Sequence, residues 1–480
     1  MSISNALSNA VSGMSAASQR AQVTANNIAN ASTEGYARQS VNSVQDVVAG
    51  RGNGVLTSPT TRVSDPALTA NRREAQSDTN GSQAQATAAR TLADTFEGSG
   101  SLFDRVSALE SALRGVTETP ESGALQERSV ATAGQVADAF ATVSNTIKTE
   151  RTSADRGIGD AVADVNAALK EIESLNASIT SARVGNVSTA AFEQQRDTQL
   201  DIVAGHIPIR LMPRDGGQVA VLTDKGVSLL DNTARTLEFQ ESNVVTADMD
   251  YRSGAGPLSG LTVGGVDITP GAGGQGSDSG LIAGLFETRD GTMVEANTEL
   301  DAFAADMIGR FETAGIAGAD GRGLFTDNGA ALSSPFTAGL AGRMTLNEQV
   351  DPAQGGSAWR IRDGLDAATQ GASSSSSHAQ GLLDAMTESR VTTGSLSRAA
   401  SASGLAGDLG SLFESRGQAL EDSAASDLTR FTTFDLAETS AIGVDLDVEL
   451  QNLILIEQAY GANAKMIQVA DSLVQRLLEI

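Results

Sequence analysis

Both ends of this 480-residue chain carry the same spacing. Near the start, apolar or small residues fall at Ile3, Leu7, Ala10, Met14, Ala17, Ala21, Thr24 and Ile28, alternately four and three apart, as in one seam of a coiled coil. Near the finish the pattern returns at Leu453, Ile456, Tyr460, Asn463, Ile467, Ala470, Val474 and Leu477, with Asn463 a polar interruption able to fix register. A helix of about 26 residues is about 39 Å long. A seam made largely of small residues buries too little area by itself to offset the entropy of ordering it, so each terminal helix needs a partner. The most economical solution pairs the two in a coiled coil, which puts both chain ends in one domain and makes everything between them an insertion. A repeated assembly could supply further partners.

Composition suits closely packed helices. The length exceeds one core of about 100 to 200 residues, so two to four domains are expected. Apolar residues make up 40%, with only 13 Phe, 3 Tyr and 1 Trp, so the cores draw on Ala, Leu, Val and Ile. Nine prolines lie far below the usual roughly 5%, which permits long helices. With 33 basic against 59 acidic residues the net charge is -26. Such a surface repels phosphate backbones, and no Lys/Arg cluster with interleaved aromatics offsets it, so nucleic acid is set aside as a partner. No apolar run is long enough to span a membrane, and the opening residues lack the charged and apolar regions of a cleavable signal. The absence of cysteine removes thiol nucleophiles, disulfides and Cys-bound zinc. It is compatible with export of an unfolded chain through a dedicated channel.

Between the ends the periodicity changes twice. Short β-branched runs from Ser40 to Asp65 surround RGNGV, where Asn53-Gly54 predicts the turn of an extended hairpin. From Pro66 to about His206 apolar residues recur every three or four, with breaks at Gly98 to Gly100 and Pro120. From Ile207 to about Gly280 the period drops toward two in IPIRL, QVAVLT, GVSLL, RTLEF and GLTVGGVDI, ending in the loop PGAGGQGSDSG. Helix resumes from Leu281 to Thr313, a Gly-rich irregular segment runs to Arg362, Ser373 to Ser377 reads as a loop, and helix follows from about Thr393 to the end. The expected fold is mainly α, with three parts in a rod-shaped subunit. Residues 1–40 and 440–480 form the terminal coiled coil. Residues 41–206 and 281–439 form a long-helix bundle built from both halves of the chain. Residues 207–280 form a small inserted β-domain.

Catalytic chemistry finds little support. His206 and His378 are the only histidines, far apart in sequence, and a lone histidine is usually structural or solvated. No Ser sits in a G-x-S-x-G elbow, and none of Lys148, Lys170, Lys225 and Lys465 follows a glycine, so a P-loop is absent. GGQGSD at Gly273 to Asp278 matches one unit of a calcium-binding repeat that works only in arrays; it occurs once, and Gly280 stands where that repeat requires an apolar residue. Glu171 and Glu173, two apart, point to different helix faces. No catalytic, cofactor or metal residue is assigned.

The ends carry a further signal. ANNIANASTEGYARQ, Ala25 to Gln39, resembles the N-terminal signature of the flagellar axial rod and hook proteins, in which a heptad helix ends in N-x-A-N and leads into G-Y-x-R-Q. Asn27, Ala29, Asn30, Gly35, Tyr36, Arg38 and Gln39 match, and Glu34 stands where a proline is common. The C-terminal segment is similar to that family's last helix through Gly443, Val444, Leu446, Asp447, Glu449, Gln458, Ala459, Tyr460, Ala462, Asn463, Ala464 and Lys465. Gly52, Asn53, Gly54 and Val55, followed by Arg62 and Asp65 before a long helix, resemble the pattern of the family's first hook-filament junction members.

The resemblance implies a structural protein, not an enzyme, forming an adaptor ring at the hook-filament junction on which the filament is assembled. Ile3, Leu7, Met14, Ile28, Leu453, Ile456, Tyr460, Asn463, Ile467 and Val474 would be its assembly seam. Implied partners are further copies of the chain in a ring, the hook protein, the second junction protein, a cytoplasmic export chaperone on the C-terminal helix and the flagellar export apparatus. The implied location is outside the cell, at the distal end of the hook. Alternatives are another axial protein, such as the hook protein or second junction protein, or a surface adhesin or wall hydrolase. A hydrolase would need a convergent site that these residues do not supply.

Overall fold

The computed structural model describes residues 3–33, 35–48, 51–251, 257–271, 273–313, 315–392 and 398–478. In chain order, α1 (Ile3–Ala29) is followed by β1 (Gln39–Ser40), β2 (Ser43–Val48), β3 (Arg51–Thr57) and β4 (Thr61–Arg62). Then come α2 (Pro66–Asp94), α3 (Leu102–Glu118), α4 (Gly123–Val184) and α5 (Ala190–His206). Short strands β5 (Ile209–Pro213), β6 (Val219–Thr223), β7 (Ser228–Leu230), β8 (Leu237–Glu238), β9 (Thr262–Val263) and β10 (Val266–Asp267) lead to α6 (Leu281–Glu287) and α7 (Met293–Phe311). The chain ends with β11 (Phe325–Asp327), β12 (Met344–Leu346), α8 (Arg360–Asp363), α9 (Ser377–Thr387), α10 (Ala402–Ile442) and α11 (Leu446–Leu478). The protein is mainly α with small β insertions.

Local chemistry sets the helix starts. Asp65 caps α2 by accepting from the amides of Ala67 and Leu68 at 3.1 Å, with Pro66 at the first helical position, where its missing N–H is not needed. Ser101 caps α3 through the Asp104 amide, and Asp445 caps α11 through the amides of Asp447 and Val448. With no proline inside it, α4 runs 62 residues, about 93 Å. It ends at Gly185 and Asn186, the latter at φ 53°.

Two compact units result, Met1–Asp78 with Ala163–Leu237 and Asp427–Ile480, and Thr79–Val162 with Glu238–Ser426. Helices α2, α4 and α10 each give a stretch to both. The first unit contains both chain ends, α5 and the antiparallel sheet β5-β6-β7. Leu200, Val203, Val221 and Leu229 are buried there together with Val165, Leu169, Ile172 and Ile179 from α4. The strands of residues 207–280 are thus divided, β5 to β7 falling in the first unit and the β9–β10 hairpin in the second.

The second unit holds the main apolar core. Val106, Leu109 and Leu113 of α3, Phe140 and Ile147 of α4, Met293, Leu300 and Phe303 of α7, Leu382 of α9 and Leu405 and Leu409 of α10 form one buried cluster, with the Phe140 and Phe303 rings 5.1 Å apart. Each such side chain contributes about 1.5–3 kcal/mol by burial. In the same unit α2 crosses α6 through glycine: a Cβ on Gly284 would stand 2.3 Å from the Gly81 carbonyl oxygen. One π turn, Thr288–Thr292, joins α6 to α7. It carries the fully buried Arg289, whose charge is met by Asp155 and Asp290, each at 2.6 Å. Unpaired, a charge at that depth would be prohibitive.

Candidate assembly site at the joined chain ends

Asn27, near the end of α1, is buried, and both ends of its carboxamide are engaged. Its Nδ2 donates to the Gln39 carbonyl at 2.9 Å and to Glu449 Oε1 at 3.0 Å, while its Oδ1 accepts from the Gln39 amide at 2.9 Å and from the Tyr36 hydroxyl at 3.0 Å. One side chain therefore ties together α1, the turn after it and the first turn of α11. Burial, and then the neighbouring Glu449 carboxylate, raise the Tyr36 pKa, which keeps the phenol protonated as a donor. The same turn is fastened by its main chain: the Arg38 amide donates to the Ile442 carbonyl and the Val63 amide to the Arg38 carbonyl, both at 2.8 Å. Gly35 sits at φ 70°, a conformation glycine adopts without penalty. Asn30 returns its amide to the Asn26 carbonyl at 2.9 Å, closing the helix. Residue 34 lies outside those described.

The hairpin differs from expectation. Asn53-Gly54 is not its turn: both lie within β3, where Gly54 stands opposite Asp46 and Gly52 opposite Val47 across a shift of register. Strands β2 and β3 join through residues 49 and 50, outside those described. The glycine serves close approach instead. At φ 117°, a Cβ there would come 2.2 Å from Ser12 Oγ of α1, and that same oxygen accepts from the Val55 amide at 3.1 Å. Asn53 meets Asp46 across the hairpin at 2.7 Å. Arg62 pairs with Asp197 of α5, and Asp65 is the cap of α2.

The seam residues divide into two sets. Along α1, Ala10, Ala17 and Thr24 are buried at seven-residue intervals, Met14 and Ile28 are half-buried, and Leu7 is 40% exposed; the side chain of Ile3 lies outside the description. Along α11, Glu449, Ile456 and Ala470 are buried and Asn463 and Ile467 half-buried, whereas Leu453, Tyr460 and Val474 are exposed, Tyr460 to 46%. Gly13 of α1 faces Asn463, whose amide oxygen would be 2.8 Å from a Cβ on the glycine. The outer surface of α11 adds Ile454, Leu455, Met466, Val469 and Leu473 to the exposed apolar set. Exposed apolar residues gathered on one helix mark a surface that an assembly can bury.

Residues from the middle of the chain complete the site, and periodicity gave no sign of them. On α5, Gln194 Oε1 accepts from the Ala37 amide and from Arg62 Nη1, both at 3.4 Å, and its Nε2 donates to the Gly35 carbonyl. Among the described residues no three His, Cys, Asp or Glu side chains gather as metal ligands, and no helix is long and apolar enough to cross a membrane.

Comparison with known proteins meets this geometry at both ends. Residues 7–36 match the family model "Flagella basal body rod protein" and residues 439–480 match "Flagellar basal body rod FlgEFG protein C-terminal". These are the two segments that Asn27 and Glu449 join, and together they define a flagellar axial protein. Residues 89–332, half of the chain, match "Flagellar hook-associated protein FlgK helical domain". The chain belongs to that family, whose members are structural. Flagellar hook-associated protein 1 of Bacillus subtilis (strain 168) is 23% identical, covering 97% of this chain and 96% of the relative. The Escherichia coli (strain K12) protein of the same name is 24% identical over the whole of both chains. The solved structure of the flagellar hook junction protein FlgK from Burkholderia pseudomallei aligns with TM-score 0.44 and 18% identity, over 54% of this chain and 46% of that one.

Proposed function

We infer that this chain is a structural protein of the bacterial flagellum that forms the hook-filament junction and supports filament assembly on the hook. The observation carrying this reading is the pairing of axial-protein ends with a hook-associated helical domain in a single chain. The exposed apolar residues of α11, with Leu7 and Val11 of α1, give it a mechanism. The two helices pair as a coiled coil along Ala10, Ala17, Ile456, Asn463 and Ala470, and the exposed seam residues Leu7, Leu453, Tyr460 and Val474 contact neighbouring subunits in a ring. Hook protein on one side and the second junction protein on the other are the neighbours this reading requires.

In this reading the terminal pair, 1–40 with 440–480, is the assembling part of the first unit, which also holds β5 to β7, and the helical core of the second unit serves as the body. Before assembly the exposed apolar residues of α11 need cover, so a cytoplasmic export chaperone binds that helix by laying it in a groove. The chain then leaves through the flagellar export apparatus to the distal end of the hook. Electron microscopy of cells lacking the gene, with the medium assayed for flagellin, tests the assignment. Bare hooks with flagellin released into the medium are expected. Normal filaments would refute the junction role, and loss of hooks as well would move the chain to a rod or hook role.

A further inference from the structure

Within the second unit, α2, α4 and α6 border a cleft of about 480 Å³, inside the range of ligand-binding pockets, about 300–1,000 Å³. Its origin is local. The Gly81–Gly284 crossing brings α2 and α6 together at main-chain distance, and further along α2 the lining positions are Ala84 and Ala88, too small to fill the space toward α4. Leu281 and Leu285 of α6, with Ala154 of α4, complete an apolar lining. One charged group stands in it. Glu150 of α4 is half-buried there, and among the described residues no cation or hydrogen-bond donor meets its carboxylate. Burial alone raises its pKa, the mark of a charge whose lost hydration nothing replaces.

We propose that this cleft is a binding site for an aliphatic amine, its carbon stem lying along Leu281, Leu285 and the alanines and its ammonium group on the Glu150 carboxylate. The stem buries apolar surface, and the ammonium supplies the counter-charge that the cleft lacks. A neutral alcohol of equal length meets only the first demand, and a carboxylate is repelled. The site lies within the second unit and involves neither terminal helix, so the inference stands whether or not the junction role does.

Calorimetric titration of the full chain with n-hexylammonium at pH 7 tests it, with n-hexanol and hexanoate as matched probes. The amine should saturate one site and bind about tenfold more tightly than the alcohol, the size of one hydrogen bond to a charged group; hexanoate should not bind. Glu150→Gln should reduce the amine to the alcohol's affinity and leave the alcohol unchanged, with a thermal midpoint no lower than wild type, since it removes an uncompensated charge. Asp160→Asn, which removes an exposed carboxylate from the same helix, should keep wild-type affinity and so separates the cleft from the general attraction of a cation to an acidic chain. Ala84→Leu fills the cleft and should weaken amine and alcohol alike. Amine affinity should also fall as pH is lowered through the raised Glu150 pKa, above the ordinary value of about 4.3, and should stay flat in Glu150→Gln. No saturable amine binding, an alcohol that binds as tightly as the amine, equal losses in Asp160→Asn and Glu150→Gln, or full amine affinity in Ala84→Leu would each overturn the proposal.

Discussion

At the scale of single residues, Asn27 and Glu449 show how a short sequence signature becomes geometry. The Asn27 carboxamide both accepts and donates, and both capacities are used, so Asn27→Ala leaves the part-buried Gln39 amide and Tyr36 phenol without an acceptor and the Gln39 carbonyl and Glu449 carboxylate without their donor. The expected loss is about 2–3 kcal/mol in the first unit, read as an earlier denaturant transition for peptides around residues 27–39 while those of 102–147 keep theirs. His206 tests pH. Burial depresses its pKa, opposed in part by Asp164. A histidine depressed in the folded state is protonated first in the unfolded chain, so stability is present above the ordinary histidine pKa of about 6.5 and is lost as pH falls below it. His206→Gln should therefore flatten the fall in stability of the first unit between pH 7 and pH 5, measured by thermal unfolding of both proteins across that range. The signature residues were legible as a pattern before their contacts were known. Gln194 and Ser12 were not, because their roles depend on α5 and β3 meeting segments distant in sequence.

Among the elements, the long helices were the most readable part of the chain. Proline scarcity and three-to-four periodicity predicted helix from Pro66 to His206, and the breaks near Gly98 and Pro120 separate α2, α3 and α4 as expected. The Gly185-Asn186 break was not anticipated, since small and polar residues also fill these helices. The hairpin was anticipated with its turn in the wrong place. An Asn-Gly pair predicts a tight turn by its permitted dihedrals, but here the glycine serves a close approach to Ser12, a tertiary demand that local sequence does not display. A similar demand governs the α2–α6 crossing. Gly284→Ala should destabilise the second unit by about 1–3 kcal/mol or more, because the new methyl meets main chain rather than a yielding side chain. Chemical denaturation followed by the fluorescence of Trp359, in that unit, would report it. A midpoint equal to wild type would mean that the helices separate at no cost.

For the whole molecule, charge and apolar exposure point the same way. A chain of net charge -26 repels its own copies over most of its surface, yet α1 carries a single charged residue, Arg20, in 27 positions, and α11 exposes Leu453, Ile454, Leu455, Tyr460 and Val474. Under the proposed assembly, association between copies would therefore be directed to the ends. The heptad spacing of those ends was visible in the sequence. Which half of it faces inward was not, because both halves of a seam look alike until a partner is placed. A photo-crosslinking residue substituted for Tyr460, exposed on α11, or for Ile456, buried on the same helix, separates the two, read on isolated hook-filament particles that contain the variant. Adducts to a second protein chain at Tyr460, with only internal adducts at Ile456, are the predicted result. Particles that incorporate the Tyr460 variant yet give no intermolecular adduct would contradict assembly through the outward face of α11.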